Sequence, residues 1–243
     1  MSMISVKDLN VSYPDGTDAI KNISFDLQDG ESVALVGANG AGKSTLLLSL
    51  VGVIKHKNGT ISIDDLELSK KTLNDFRKRI GMVFQNTDDQ LFMTSVMDDV
   101  AFGPRNYGII ETEVKKIVDE TLVSLGIMNL KYRMPHKLSG GEKRSVALAC
   151  VLAMKPSAIL FDEPSSFLDP KARRKMMNSL RDLKCTKLIA THDLDMALEV
   201  CERTIVLKNG EICADGKTKD ILINELFMDE CGLELPLSYQ HIK

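Results

Sequence analysis

The chain has 243 residues and a formal net charge of −3, with 44% apolar and 27% charged residues, and its pI lies near 5.9. That suits one large α/β domain, or two lobes on a shared core, with enough apolar material for a buried interior. The acidic balance excludes the basic face of a nucleic-acid binder, and the longest apolar run, 146–154, falls far short of the roughly 20 residues needed to cross a membrane.

The first ten residues lack the basic-then-apolar order of a signal peptide. Work at a membrane would therefore need another chain to provide the membrane part. Cys150, Cys185, Cys201, Cys213 and Cys231 form no C-x-x-C pair and are odd in number, which fits reduced thiols better than disulfides or zinc.

In chain order, Ile23, Phe25 and Leu27 alternate with polar residues, as in a half-exposed strand. Residues 33–36 are a short apolar run ending at Gly37, the pattern of a buried strand. The leucine-rich stretch 45–51 stops at Gly52 and predicts a helix. Val114, Ile117, Val118, Leu122 and Leu125 fall at helical spacing, and 145–154 predicts another helix, stopped by Pro156. Runs 158–161 and 188–190 are further buried-strand candidates. Residues 204–207 lead through Asn209-Gly210 into 211–213, a hairpin signal. The pattern is a strand-rich core at both ends of the chain, with a mostly helical insertion from about 86 to 155.

Residues 37–45, GANGAGKST, match G-x-x-x-x-G-K-[ST] between a predicted strand and a predicted helix, the context that motif needs. Gly40 and Gly42 let the backbone wrap phosphate without a Cβ in the way, and successive N–H groups and the helix start face the negative charge. Lys43 can reach the β- and γ-phosphates, and Ser44 can ligate Mg²⁺. The bland alternative is a glycine-rich turn. Further on, the strand 158–161 runs into Asp162 and Glu163. Unpaired carboxylates are costly to bury, and a Mg²⁺ ion with a water would explain both: Asp162 toward the metal, Glu163 as the general base. The alternative is a pair of exposed loop acids.

Between these motifs lies Leu138-Ser-Gly-Gly-Glu142, and beyond them Ser166-Phe-Leu-Asp169 and Thr191-His192-Asp193; Gln85 ends Met82-Val-Phe-Gln85, and Tyr13 lies in the N-terminal strand region. In this order and spacing the set resembles the nucleotide-binding domain of ABC ATPases, from about residue 4 to 221. The resemblance implies an α/β P-loop NTPase of the ABC type: a RecA-like core with an N-terminal antiparallel β subdomain and an inserted helical subdomain. It would form a single ATPase domain, with 1–85 and 156–220 as catalytic core, 86–155 as helical subdomain and 221–243 as C-terminal extension.

The resemblance also implies roles. Gly37, Asn39, Gly40, Ala41, Gly42, Lys43, Ser44 and Thr45 would cradle ATP. Tyr13 would stack on adenine, the alternative being a plain strand aromatic. Ser44, Gln85 and Asp162 would serve Mg²⁺. Lys43, Gln85, Glu163 and His192 would act in catalysis, His192 by contacting the γ-phosphate and orienting water. Ser139, Gly140 and Gly141 would bind the γ-phosphate held by another protomer, and Asp169 would organise the seam. Ser139 also suits a helix N-cap, and Asp169 a turn before Pro170. The signature ends in Glu142 where Gln is common. Ser139-x-x-Glu142 is a capping-box pattern, so Glu142 is expected to turn back on Ser139 rather than toward phosphates, which would repel it.

Residues 86–92, NTDDQLF, with 99–104 and 106–108, resemble the ATPases of energy-coupling-factor importers; 138–144, 147–149, 151–154 and 231–237 look like their cobalt/nickel branch. This implies a homodimer, or a heterodimer with a paralogous ATPase, at the cytoplasmic face of the membrane, with integral scaffold and substrate-binding subunits and no nucleic acid. Asp88 and Asp89 could receive arginines of a scaffold's coupling helix, or be a solvated acidic loop. Other readings are a vitamin importer, another ABC subfamily, a repair or translation ATPase, and a nucleotide-binding regulator without turnover. The 45–138 interval is too short for the long coiled coil of repair types, and Glu163 with His192 argues against a regulator.

Overall fold

The computed structural model describes residues 2–240; Met1 and positions 241–243 of the expected C-terminal extension lie outside the described residues. The chain opens with two long strands, β1 (Ser2–Ser12) and β2 (Asp18–Gln28), followed by β3 (Ser32–Val36), α1 (Lys43–Leu50), β4 (Asn58–Ile63), β5 (Leu66–Glu67), α2 (Leu73–Arg79) and β6 (Ile80–Val83). Next come α3 (Val96–Asn106), α4 (Glu111–Ser124) and α5 (Gly140–Leu152), with two short 3-10 turns between α4 and α5. The remainder is β7 (Ala158–Asp162), α6 (Pro170–Asp182), β8 (Thr186–Ala190), α7 (Leu194–Val200), β9 (Arg203–Lys208), β10 (Glu211–Lys217), α8 (Thr218–Leu222) and α9 (Glu225–Glu230).

Two sheets result. One is antiparallel in the order β2-β1-β4-β5; the other runs β10-β9-β3-β8-β7-β6, parallel except for the β9–β10 hairpin. Their burial follows from sequence pattern. In β2, Ile20, Ile23, Phe25 and Leu27 are buried and the residues between them exposed, one wet face and one dry. The central strands β7 and β8 are buried at every position, as strands covered on both faces must be. Their apolar runs, 158–161 and 188–190, are the chemical requirement of that place.

The core has two halves. One lies between the sheets and encloses α1, whose Leu46, Leu47 and Leu50 pack with Ile4, Leu27, Leu35 and Leu160. A helix buried on most of its surface, with only Ser44 exposed, needs no polar face, which explains the leucine run. The other half joins the far face of the parallel sheet to the helices: Val83, Phe161 and Ile189 pack with Val100, Val118, Val146 and Met177. In α4, Val114, Ile117, Val118 and Leu122 form the buried stripe expected from their spacing. Here β6 presses close on α5: a Cβ on Gly81 would lie 2.3 Å from Val151 Cγ1.

Two helices start earlier than the apolar pattern predicts. Helix α1 begins at Lys43 rather than 45, directly from the glycine loop, and α5 begins at Gly140 rather than 145, because Ser139 caps it. Helix α6, with buried Met176, Met177 and Leu180 among charged residues, has too few apolar positions to announce itself in the sequence.

Candidate active site

The glycine loop links β3 to α1. Gly42, at φ 106°, is the residue before the first helical turn, and a Cβ there would lie 2.8 Å from Ala19 O and 2.9 Å from Ile20 Cδ1. Both the left-handed backbone and the close neighbour require glycine. Lys43 reaches back across the loop: its Nζ donates to Gly37 O at 2.6 Å and to Ala38 O at 3.2 Å. Burial pulls its pKa below the ordinary lysine value, while Glu163 and Asp162 oppose that shift. A buried ammonium resting on carbonyls is a ready donor for phosphate oxygens, which would meet it as charge-assisted acceptors.

The parallel sheet brings the other chemistry to the same edge. Asp162 ends β7, and its Oδ1 is buried without a hydrogen-bond partner. Burial raises its pKa, against the lowering effect of the Ser44 hydroxyl. An orphaned carboxylate oxygen beside a serine hydroxyl suits a hard divalent cation, which takes oxygen ligands. Glu163 follows with φ 50°, a conformation uncommon outside glycine that aims its side chain into the cavity. Its Oε2 accepts from His192 Nδ1 at 2.7 Å, from His192 N at 3.2 Å and from Ser166 Oγ at 3.4 Å. The imidazole, on a side chain 66% exposed, lies open to the cavity. The next residue, Asp193, is gripped by Arg173 (2.6 and 2.7 Å) and caps α7 through Met196 N.

One cavity of about 940 Å³ gathers Tyr13, Asn39, Gly40, Ala41, Gly42, Lys43, Ser44, Thr45, Gln85, Glu163 and His192. Gly37 lies behind the loop, facing a second cavity on the far side of His192. The Tyr13 hydroxyl is 2.7 Å from Thr45 Oγ1, which places the ring at the mouth of the loop. The β9–β10 turn also lines the site: Gly210 N donates to Ala41 O and Gly210 O accepts from Lys21 N. Its Asn-Gly signal announces a hairpin but not where the hairpin lands.

The signature residues are elsewhere. Ser139, Gly141 and Asp169 line a separate cavity of about 580 Å³ between the starts of α5 and α6. A Cβ on Gly141 would lie 2.8 Å from the Ala172 Cβ, so glycine there lets the two helix starts touch; Gly140 faces Phe167 O. Asp169 caps α6 through Lys171 N and Ala172 N, with Pro170 in the first turn. Ser139 caps α5, and the expected reciprocal box is present: Glu142 Oε2 accepts from Ser139 N at 2.8 Å and from Ser139 Oγ at 2.9 Å, and Glu142 N donates to Ser139 Oγ at 3.3 Å. Of the acidic pair, Asp88 is held within the chain by Lys143 Nζ at 2.5 Å, while Asp89 lines a groove with Phe92, Phe102 and Arg77.

The phosphate loop, the strand-end acids and the histidine define a nucleoside-triphosphate hydrolase of the P-loop class. Comparison with known proteins narrows this. The ABC transporter family model matches residues 20–166. An ABC transporter ATP-binding protein of Geobacter sulfurreducens is 52% identical over 238 residues, 98% of this chain and 96% of that protein. The energy-coupling factor transporter ATP-binding protein EcfA of Methanothermobacter thermautotrophicus is 43% identical over 96% of this chain and 77% of its own length. Among solved structures, cbiO1 from Clostridium perfringens, part of the ABC transporter complex cbiONQ, superposes with TM-score 0.83 at 38% identity over 94% of both chains. The ATP-binding cassette MJ0796, a dimer in a post-hydrolysis state with ADP and Pi, superposes with TM-score 0.80 at 30% identity over 89% of this chain and 99% of its own. The chain belongs to the ABC transporter ATP-binding family and is an ATPase of that fold. Among the described residues no helix is long and apolar enough to cross a membrane.

Glu142 yields a prediction. The Ser139 N–H, then the Ser139 hydroxyl, hold its carboxyl below the ordinary glutamate pKa. Its stabilising effect is therefore complete above the unfolded-state value and is lost as pH falls through the folded one. Glu142→Gln, which can still form the box, should keep ATP turnover within about twofold at neutral pH and melt with a weaker dependence on acid than the parent. Loss of turnover in a folded Glu142→Gln protein would assign the carboxylate a direct role.

Proposed function

We propose that the chain is the ATP-hydrolysing subunit of an energy-coupling-factor type importer, and that it works as a head-to-tail pair of ATPases with two nucleotides at the seam. The observation that carries the pairing is the separation of the half-sites: Ser139 and Gly141 open onto a different cavity from the one that holds Lys43 and Glu163. A second copy, or a paralogue, turned by a two-fold would lay its Ser139 loop over the γ-phosphate. The dimeric MJ0796 cassette with ADP and Pi supports this arrangement.

In the closed site the loop amides and Lys43 grip the triphosphate, with Tyr13 against the base. Ser44, Gln85 and Asp162 would hold Mg²⁺, which when bound neutralises phosphate charge. Glu163 takes the proton of the attacking water as its oxygen bonds to the γ-phosphorus and the bond to ADP breaks. His192, fixed through Nδ1 on Glu163, orients water and γ-phosphate. Hydrolysis removes the contacts that favour closure, and the pair opens.

The importer reading rests on likeness to EcfA of Methanothermobacter thermautotrophicus and to cbiO1. It gives the chain a place at the cytoplasmic face of the membrane, beside scaffold and substrate-binding subunits, with cobalt or nickel ions as the proposed cargo. The groove beside Gln85 suits a cationic coupling helix, with Asp89 as the acid that has no ion-pair partner among the described residues, since Asp88 is already paired.

Glu163→Gln should lower turnover by more than about 100-fold and run as a dimer on size exclusion with ATP but not ADP. A monomer under both conditions contradicts the pairing. Asp89→Ala should leave the soluble ATPase intact and weaken recovery of the membrane subunits from detergent-solubilised membranes; unchanged recovery removes Asp89 from the coupling surface.

A further inference from the structure

Arg144 lies one helical turn beyond the signature and touches neither cavity of the composite site. It is 4% exposed, and no carboxylate among the described residues pairs with it. Its Nη1 donates to Phe84 O at 2.7 Å and its Nη2 to Ser166 O at 3.4 Å, while Nε has no partner. A buried guanidinium without an ion-pair partner is costly and calls for a reason. Burial pulls its pKa down, with Asp162 and Glu163 opposing.

The two carbonyls explain the placement. Phe84 directly precedes Gln85. Ser166 sits in the loop after β7, donating its N–H to Glu163 O and its hydroxyl to Glu163 Oε2. A second latch runs alongside: Gln90 accepts from Phe84 N at 3.2 Å and donates to Ala147 O of α5 at 2.9 Å. Helix α5 is thus tied to the N–H of Phe84 through Gln90, to the carbonyl of Phe84 and to Ser166, and the same helix is capped by Ser139.

We propose that Arg144 is a positioning residue that joins the signature helix to Gln85 and Glu163, so that engagement of Ser139 by the partner's nucleotide sets the geometry of the chain's own catalytic groups. The two half-sites of one chain face different nucleotides, and Arg144 is a direct polar link between the signature helix and the segments that carry Gln85 and Glu163. It needs the planar fork. Its Nη1 and Nη2 are held apart and reach carbonyls of two distant segments, whereas a compact lysine ammonium meets carbonyls that lie side by side, as Lys43 does with Gly37 and Ala38. The proposal rests on the roles given above to Gln85 and Glu163.

The test uses the full chain with Mg²⁺ and ATP, and compares Arg144→Met and Arg144→Lys with the parent. Nucleotide affinity, read with a fluorescent ATP analogue, should change by less than about threefold, since the phosphate loop is untouched, whereas kcat should fall about 10- to 100-fold as the catalytic groups lose their alignment. Arg144→Lys should fail to rescue, although it restores the charge. ATP-dependent pairing should persist in both. A kcat for Arg144→Lys within twofold of the parent, or affinity falling in step with kcat, overturns the proposal. Gln90→Leu breaks the parallel latch without removing a charge, and serves if the arginine variants do not fold: it should lower kcat with KM little changed, and an unaltered kcat overturns the proposal. Glu163→Gln, run beside them, separates the two claims, because full turnover in that variant sinks the assigned role of Glu163 and not the link.

Discussion

Two carboxylates at the end of a buried strand are tolerable only if positive charge lies within their field. Asp162 and Glu163 are both nearly inaccessible, and Lys43 and Arg144 are the buried cations that feel them. Each cation is held by main-chain carbonyls rather than by a direct ion pair: Lys43 by Gly37 and Ala38, Arg144 by Phe84 and Ser166. Fixed on neutral acceptors, they balance the acids at a distance, and the carboxylate oxygens keep softer partners, His192 and Ser166 at Glu163 and Ser44 at Asp162. A tight salt bridge would have satisfied the charges and closed the chemistry.

That balance depends on sheet topology. Strands β3, β8, β7 and β6 are parallel neighbours, so their C-terminal ends share one edge of the sheet. The phosphate loop, His192, Asp162 with Glu163, and Gln85 each follow one of these strands, and residues far apart in sequence meet there. The strands are buried on both faces and cannot shift register without exposing apolar side chains. The helices on the far face carry the signature to a different cavity, which separates it from the phosphate loop; on the proposed pairing, a second ATPase joins the two halves.

Legibility in the sequence divides along the same physical line. The phosphate loop was readable because its glycines, lysine and flanking strand and helix are contiguous. The Ser139–Glu142 box was readable because a capping box is local by construction. The strand-end acids were readable because a buried run ending in two carboxylates has few explanations. What escaped are contacts whose acceptors carry no side-chain signature. Arg144 binds two carbonyls from distant segments, and nothing in residues 84 or 166 marks them as targets. Asp88 meets Lys143 across 55 residues, and the Asn209-Gly210 turn lands beside Ala41 by sheet order alone. Helix α6 was missed because its buried methionines and leucine are diluted by charge.

The central claim is that one chain carries two incomplete halves of the site. Complementation tests it most directly. Lys43→Ala spoils the half that grips phosphate, and Ser139→Arg spoils the half that covers it. Each variant alone should be nearly inactive. Mixed in equal amounts with ATP and Mg²⁺, they should recover hydrolysis, because a mixed pair contains one site built from two intact halves. A mixture no more active than its components would contradict the account.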